Sequence, residues 1–408
     1  MSFLPHSLEL NAFVVFGVLI LLGMLGGMMA HKSMVFPRIT AFMLVGLVFG
    51  PSGLGWVNDE MLSNGKVFID IALGMIMFNL GRTLNLAALR RIPGIYAASA
   101  MEIALTFSFV AVGFMALGAH WLSALLVAAI GISASPAITM MVIQEFDAKG
   151  PVVTRTLPLL AFNNLGAFVV FTALLPLIYI NEHTGAQAWM DIATMVLHPL
   201  YLLAGSFGLA YVIYVLGRLL LHPRLGATGL SPFPLLLGML AFGIGFSALL
   251  ELSAMLTSLL LGMMVANLKH TVALREESFG AQEEIFLIIL FVIAGAKLHV
   301  AELGQYIGWA LLFVALRTAG KLTALLACQP LTGTTWKQSV GITGMLTPMA
   351  GLAIGLTQMT ESLFPTLGSG LATLILAGVA ILETLGPVAS EWALKWNKEI
   401  KKDSGVQH

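Results

Sequence analysis

Apolar runs of membrane-spanning length recur along the whole of this chain, separated by short polar breaks. A bilayer hydrocarbon core about 30 Å thick takes roughly 20 apolar residues to cross. Only helices and closed barrels satisfy their own backbone hydrogen bonds there, and these runs have the length of helices. Thirteen are read, near 10–30, 36–50, 67–86, 92–117, 120–145, 154–180, 189–220, 232–250, 252–267, 283–299, 304–328, 337–360 and 366–394. With 58% of residues hydrophobic, 10% charged and a mean hydropathy of +0.94, no stretch is left over for a soluble domain. The first run is too long for a signal-peptide core and has no Lys or Arg before it, so it is expected to stay as a helix. The one cysteine, Cys328, excludes an internal disulfide and any multi-cysteine metal site.

Orientation follows from the basic residues of the loops. Breaks after odd-numbered segments hold His31 and Lys32, Arg82, Arg90 and Arg91, Lys149 and Arg155, Arg218 and Arg224, Lys269 and Arg275, and Lys337. The tail adds Lys395, Lys398, Lys401 and Lys402, whereas breaks after even-numbered segments hold little beyond Lys66 and Lys297. The bias places the N-terminus outside and the C-terminus in the cytoplasm of a plasma-type (inner) membrane. Net charge is zero and topology accounts for the basic residues, so no nucleic-acid partner is expected. Most of the nine histidines, among them His31, His120, His222 and His299, fall at segment ends, where snorkelling explains them.

Two segments break the rules of a membrane helix at matching places. The fifth reads Gly131-Ile132-Ser133-Ala134-Ser135-Pro136 and the twelfth Gly344-Met345-Leu346-Thr347-Pro348. Proline removes an intrahelical hydrogen bond and clashes with the preceding turn, and freed backbone groups survive at membrane depth only where they line a cavity or lie inside protein. Each break falls fifth in a block of six segments. Segments one to six and eight to thirteen then read as two halves of opposite topology joined by the seventh, the inverted-repeat pattern of a secondary transporter with its site at the midplane.

Polar residues converge at that depth. At 1.5 Å per residue, Ser135, the adjacent Asn163 and Asn164, Glu102, Arg317 and Lys321 all lie roughly 15–25 Å from a segment end. Ionisable groups there are costly and by default functional, usually paired across the bundle. Glu102 is the carboxylate at the depth of Lys321 and Arg317, so a Glu102 pair with one of them is expected, either as a structural brace or as a proton carrier. Asp70 and Glu251 are placed near segment ends. Glu383, inside the last segment, is read as a brace for the crossing of the broken segments. No nucleophile elbow, metal-ligand spacing or phosphate loop is present, so neither an enzyme nor a cofactor is expected.

The order of these elements resembles the monovalent cation:proton antiporter-2 family, the NapA-type and Kef-type sodium or potassium/proton antiporters. The resemblance is carried by Pro37 through Gly50-Pro51, Asp70 through Gly81, Leu252-Ser253-Ala254 through Gly262 and Asn267, Ile285 through Gly295 with Leu298, and Leu385-Gly386-Pro387. It implies an all-α NhaA/NapA-like fold with two inverted repeats and crossed broken helices. It also implies a homodimer in which scaffold helices (1–91 and 226–300) flank core helices (92–180 and 301–395), with a linking helix (181–225) and a tail (396–408). The core would move like an elevator, exchanging Na⁺ or K⁺ for H⁺.

One departure from the family's pattern matters most. Its sixth helix usually carries an aspartate as the second residue of a pair, and here Asn164 holds that place after Asn163. Asparagine has no proton to exchange and offers a neutral carbonyl. The expected site is therefore a weak monovalent-cation site on Asn164, Asn163, Ser133 and Ser135, with Thr347 nearby and Pro136 and Pro348 shaping the breaks. Lys321 matches the family's midplane lysine but lacks its usual aspartate partner, which leaves loss of its proton, a bound anion or a different carboxylate. Three readings follow: an antiporter with altered or lost proton coupling, a carrier of an anion or small organic solute using Lys321, or a non-transporting sensor or subunit. The loop charges predict that a reporter fused at His408 is active only when cytoplasmic; activity on the outer face alone contradicts that topology.

Overall fold

The computed structural model describes residues 12–33, 38–56, 66–84, 86–182, 188–221, 232–268, 280–296, 300–349, 351–363 and 365–400. Pro37, His222, Arg224, Lys269, Arg275, Lys297, Leu298, His299, Lys401 and Lys402 of the sequence reading lie outside them. Every regular element among the described residues is a helix. Two are single turns, Leu86–Leu89 and Gln329–Thr332. The others are α1 (Ala12–Ser33), α2 (Arg38–Phe49), α3 (Lys66–Thr83), α4 (Ile95–Ala116), α5 (Trp121–Ile132), α6 (Pro136–Glu145), α7 (Pro151–Glu182), α8 (Ala188–Leu220), α9 (Pro232–Leu249), α10 (Ala254–Asn267), α11 (Gly280–Ala296), α12 (Val300–Ala327), α13 (Trp336–Met345), α14 (Gly351–Leu363) and α15 (Pro365–Asn397). Among the described residues, seven spans are long and apolar enough to cross a bilayer, including Ile95–Ala116, Trp121–Glu145, Pro151–Leu175, Tyr306–Ala327 and Leu371–Asn397.

The chain divides into two compact units. The smaller holds residues 1–72 and 279–301. In it α1, α2 and α11 pack against one another, and glycine decides how closely. A Cβ on Gly46 would run into the Val292 carbonyl of α11, one on Gly50 would meet Ala296, and one on Gly295 would strike Met43 of α2. The GxxxG spacing of Gly46 and Gly50 therefore serves backbone-to-backbone packing within the chain, the use to which membrane helices put small residues.

The larger unit holds residues 73–278 and 302–408. Here α3 and α10 use the same device: a Cβ on Gly81 would strike the Leu259 carbonyl, and one on Gly262 the Phe78 carbonyl. Asn267 closes the end of this pair, its amide donating to the Leu84 carbonyl at 2.7 Å and its oxygen accepting from the Leu86 N–H at 2.8 Å. Two helical paths in this unit are interrupted. Between α5 and α6, Ser133 and Ser135 adopt extended backbone; Ser135 caps α6 by accepting from the Ile138 N–H, and Pro136 occupies the first turn, where its missing N–H costs nothing. Between α13 and α14, the helix that Thr335 and Gln338 open with a reciprocal capping box ends at Met345, ahead of Pro348.

Because a Cβ on Gly262 would lie 2.0 Å from the Phe78 carbonyl oxygen, Gly262→Leu should lower stability by about 1–3 kcal/mol through overpacking. Gly238→Ala, which meets nothing within 4 Å, should leave it unchanged. Thermal unfolding of the two purified variants checks this; equal melting points would refute the packing assignment.

Candidate ion-coupling site at the crossing of two broken helices

The interrupted segments meet. The Ser135 N–H donates to the Pro348 carbonyl at 2.8 Å, and the Thr139 hydroxyl to the Met345 carbonyl at 2.9 Å. Each break leaves the last carbonyls of a helix without intrahelical donors, and α5 and α13 both point such an end at the crossing. Arg317 of α12, fully buried, takes up four of those carbonyls. Its Nε donates to Gly131 O at 2.9 Å, Nη2 to Ser133 O at 2.7 Å and to Leu346 O at 3.1 Å, and Nη1 to Thr347 O at 2.9 Å. A guanidinium is suited to this, having five donors in a fixed fork and a charge that favours helix C-termini.

One turn further along α12, Lys321 is also fully buried. Its ammonium forms an ion pair with Glu102 of α4 and donates to the Ile132 carbonyl at 3.1 Å, adding a fifth carbonyl to the set. The sequence left Glu102 a choice between two cations. It pairs with Lys321, and Arg317 goes to backbone instead. Glu102 Oε1 also accepts from the Thr106 hydroxyl at 3.3 Å, while Oε2 has no hydrogen-bond partner among the described residues. The ammonium is thus committed to an internal carboxylate and a carbonyl.

Asn163 and Asn164 sit in α7, which packs on α5 and α13. Asn164 Nδ2 donates to Ala134 O, inside the first break, at 3.0 Å and to Leu160 O at 2.8 Å. Its Oδ1 has no partner among the described residues, nor has either polar atom of Asn163, although both residues are buried. Asn164 borders a narrow cleft with Met77, Phe168, Ser253, Leu256 and Leu259. Leaving a buried amide oxygen unpaired costs about 1–3 kcal/mol, which makes these oxygens candidate ligands. The hydroxyls expected beside them are turned to local bonds: Ser133 donates to Ile130 O at 2.8 Å, Thr347 to Thr343 O at 3.0 Å, and Ser135 caps α6. They keep lone pairs, but the amide oxygens are the unengaged acceptors.

The remaining sequence candidates lie apart from this cluster. Glu251 is exposed with φ of 52° at the end of α9, and Arg82 lies over the Phe78 ring near the end of α3. Cys328 is buried beside the Ala97 carbonyl as a small filler. Glu383 is buried in α15, one turn before Gly386, where an added Cβ would strike Pro348 of the second break. The sequence reading missed Thr139, whose partner Met345 is 206 positions away. It also missed Glu399, whose carboxylate accepts the Val152 and Val153 N–H groups at 2.8 and 3.0 Å and so caps α7 from the chain's far end. No local pattern marks either contact.

Residues 17–396 match the transmembrane sodium/hydrogen exchanger family. Two solved structures of the sodium proton antiporter MjNhaP1 from Methanocaldococcus jannaschii are similar across nearly the whole fold. One, at pH 8, aligns with a TM-score of 0.68 at 16% identity, covering 95% of this chain and 98% of that one. The other, an electron-microscopy structure, aligns with a TM-score of 0.69 at 19% identity, covering 97% and 100%. The fold is thus that of NhaP/NhaA-like antiporters.

The Glu102–Lys321 pair makes its own prediction. Glu102→Gln strands a buried ammonium and should destabilise the protein by about 3 kcal/mol or more, and adding Lys321→Gln should recover much of that loss. A double-mutant cycle by denaturant unfolding in detergent measures it; simple additivity would show that the two groups do not couple.

Proposed function

This chain belongs to the sodium/hydrogen exchanger family of multi-pass membrane proteins, and from that premise we propose that it moves a monovalent cation, Na⁺ or K⁺, against protons through the crossing of its broken helices. The proposal includes an elevator-like cycle of a core built on α4–α7 and α12–α15, and a homodimer with its C-terminus in the cytoplasm of a plasma-type membrane. The antiporter-2 branch named from the sequence is a neighbouring subdivision of the same general antiporter family.

One observation carries the reading: Asn164, which donates into the first break and lines a cleft, keeps its buried Oδ1 without a partner among the described residues. Amide and backbone oxygens are ligands for a hard monovalent cation, and discontinuous helices place such oxygens at the midplane of transporters. Neither amide titrates, so neither Asn163 nor Asn164 carries the proton. Asn164 also has a reason to be an amide. Its Nδ2 satisfies Ala134 O within the break, and an aspartate would aim a carboxylate at that carbonyl instead. Lys321, paired with Glu102, gives an anion no unopposed charge to bind.

The test is thermal stabilisation of the purified protein by Na⁺, K⁺, Li⁺ and, as controls, anions, since a ligand that binds the folded state raises its stability by mass action. Stabilisation by an alkali cation is expected; stabilisation by an anion alone would overturn the reading. Asn164→Asp should enlarge the cation-induced shift and make it grow with pH, because a carboxylate facing Ala134 O is relieved by a bound cation. No change in either quantity would remove Asn164 from the site.

A further inference from the structure

With Asn164 in place of the aspartate, a cation-for-proton exchanger needs another group to take up and release the proton, and the described residues hold few that can. Glu102 is fixed on Lys321. Glu391 is paired with Lys395, and Glu399 caps α7. Glu383 is different. It lies 12 residues into the span Leu371–Asn397, about 18 Å from that end at 1.5 Å per residue, which is the middle of the membrane. It faces inward with Val379, Leu382, Gly386 and Ser390 and is 4% exposed, while its neighbours Thr384 and Leu385 face out. Among the described residues it has neither an ion pair nor a hydrogen bond.

The elements packed on α15 supply no countercharge. These are α14, α13, α6 and α5. Helix α5 has no charged residue, and α14 has Glu361 alone, whose side chain lies outside the described residues. Helix α13 has Lys337, placed over the Trp396 ring, and α6 has Glu145 at its last position. The α12 side reaches α15 through Phe313 against Gly378, and its cations Arg317 and Lys321 are engaged with carbonyls and Glu102. A carboxyl in lipid-depth protein with no cation beside it is held as the neutral acid.

Charge balance ties this group to the crossing. Two helix C-termini and two N-termini meet there and cancel to first order. The side chains Arg317, Lys321 and Glu102 leave a net charge of about +1. A further cation on Asn163 and Asn164 would raise that to about +2, unless a nearby carboxyl gives up a proton. Glu383 is one turn from the Gly386–Pro348 contact at the second break, so a cation entering the crossing favours its carboxylate in a medium that screens poorly.

We propose that Glu383 is the proton-carrying residue of this transporter, binding a proton as the cation leaves the crossing and releasing it to water as a cation enters. On release, the O–H bonding pair stays on the carboxylate and the proton passes to solvent, so one cation replaces one proton and net charge is constant. This rests on the cation-transport reading above and adds to it the site of coupling.

Proteoliposomes holding the full chain test it with a sodium gradient, internal pH read by a dye and sodium exchange read by isotope. Wild type should couple sodium to proton movement. Glu383→Gln should lose proton movement at least tenfold and, lacking the carboxylate that offsets the cation, should need a higher sodium concentration for sodium-for-sodium exchange, whereas Glu383→Asp should keep both. Proton movement at the wild-type rate in Glu383→Gln overturns the proposal. If wild type shows neither sodium exchange nor proton movement, the transport reading fails first and this one with it. For a Glu383→Gln protein that loses both fluxes, infrared difference spectra decide. Sodium must discharge a protonated-carboxyl band in wild type that the variant lacks, and a band unchanged by the substitution overturns the assignment.

Discussion

A helix interrupted inside a membrane leaves carbonyls that water cannot reach, and this structure depends on how those carbonyls are met. Arg317 takes four of them, from the ends of both α5 and α13, and Lys321 takes a fifth. Remaining contacts run between the breaks themselves, Ser135 N–H to Pro348 O and Thr139 hydroxyl to Met345 O. Without a buried cation able to donate in several directions, neither break would hold its shape in lipid. The cost of burying two cations is met in part by helix ends and in part by Glu102.

That arrangement separates two tasks. The basic residues brace the crossing, and their donors are spent doing so. On α7, Asn164 secures the first break through Nδ2, lines the cleft and keeps Oδ1 without a partner among the described residues. A site built this way presents neutral ligands within a fixed frame of charges. Any coupling to protons then falls to a carboxyl outside the frame, and α15 carries one at the right depth.

How much of this was legible in the sequence differs from residue to residue. Pro136 and Pro348, each preceded by small hydroxyl residues in an apolar run, announced the two breaks, because proline and hydroxyl clusters have few other uses at that depth. Depth could narrow the partner of Glu102 to Lys321 or Arg317 but not choose between them, since opposite charges in lipid seek each other and both cations lie on one helix. Arg317 could be singled out as a buried cation but not given its partners. Its partners are backbone carbonyls, which every residue carries and which leave no sequence signature. The same reason hid Thr139. Ser133, Ser135 and Thr347 were read as facing the ion from composition, whereas their hydroxyl hydrogens go to local carbonyls or, for Ser135, its oxygen to a helix cap. GxxxG spacing at Gly46 and Gly50 suits packing within one chain or between two, and the contact with α11 shows a use within the chain.

The central claim is that a cation enters a neutral amide site and displaces a proton held elsewhere in the same unit. Proton release on sodium addition tests it most directly: purified protein in weakly buffered detergent solution is titrated with NaCl while pH and bound sodium are followed together. About one proton should appear per sodium bound, as constant net charge at the crossing requires. Sodium binding without proton release, or proton release from a protein that binds no sodium, would contradict the account.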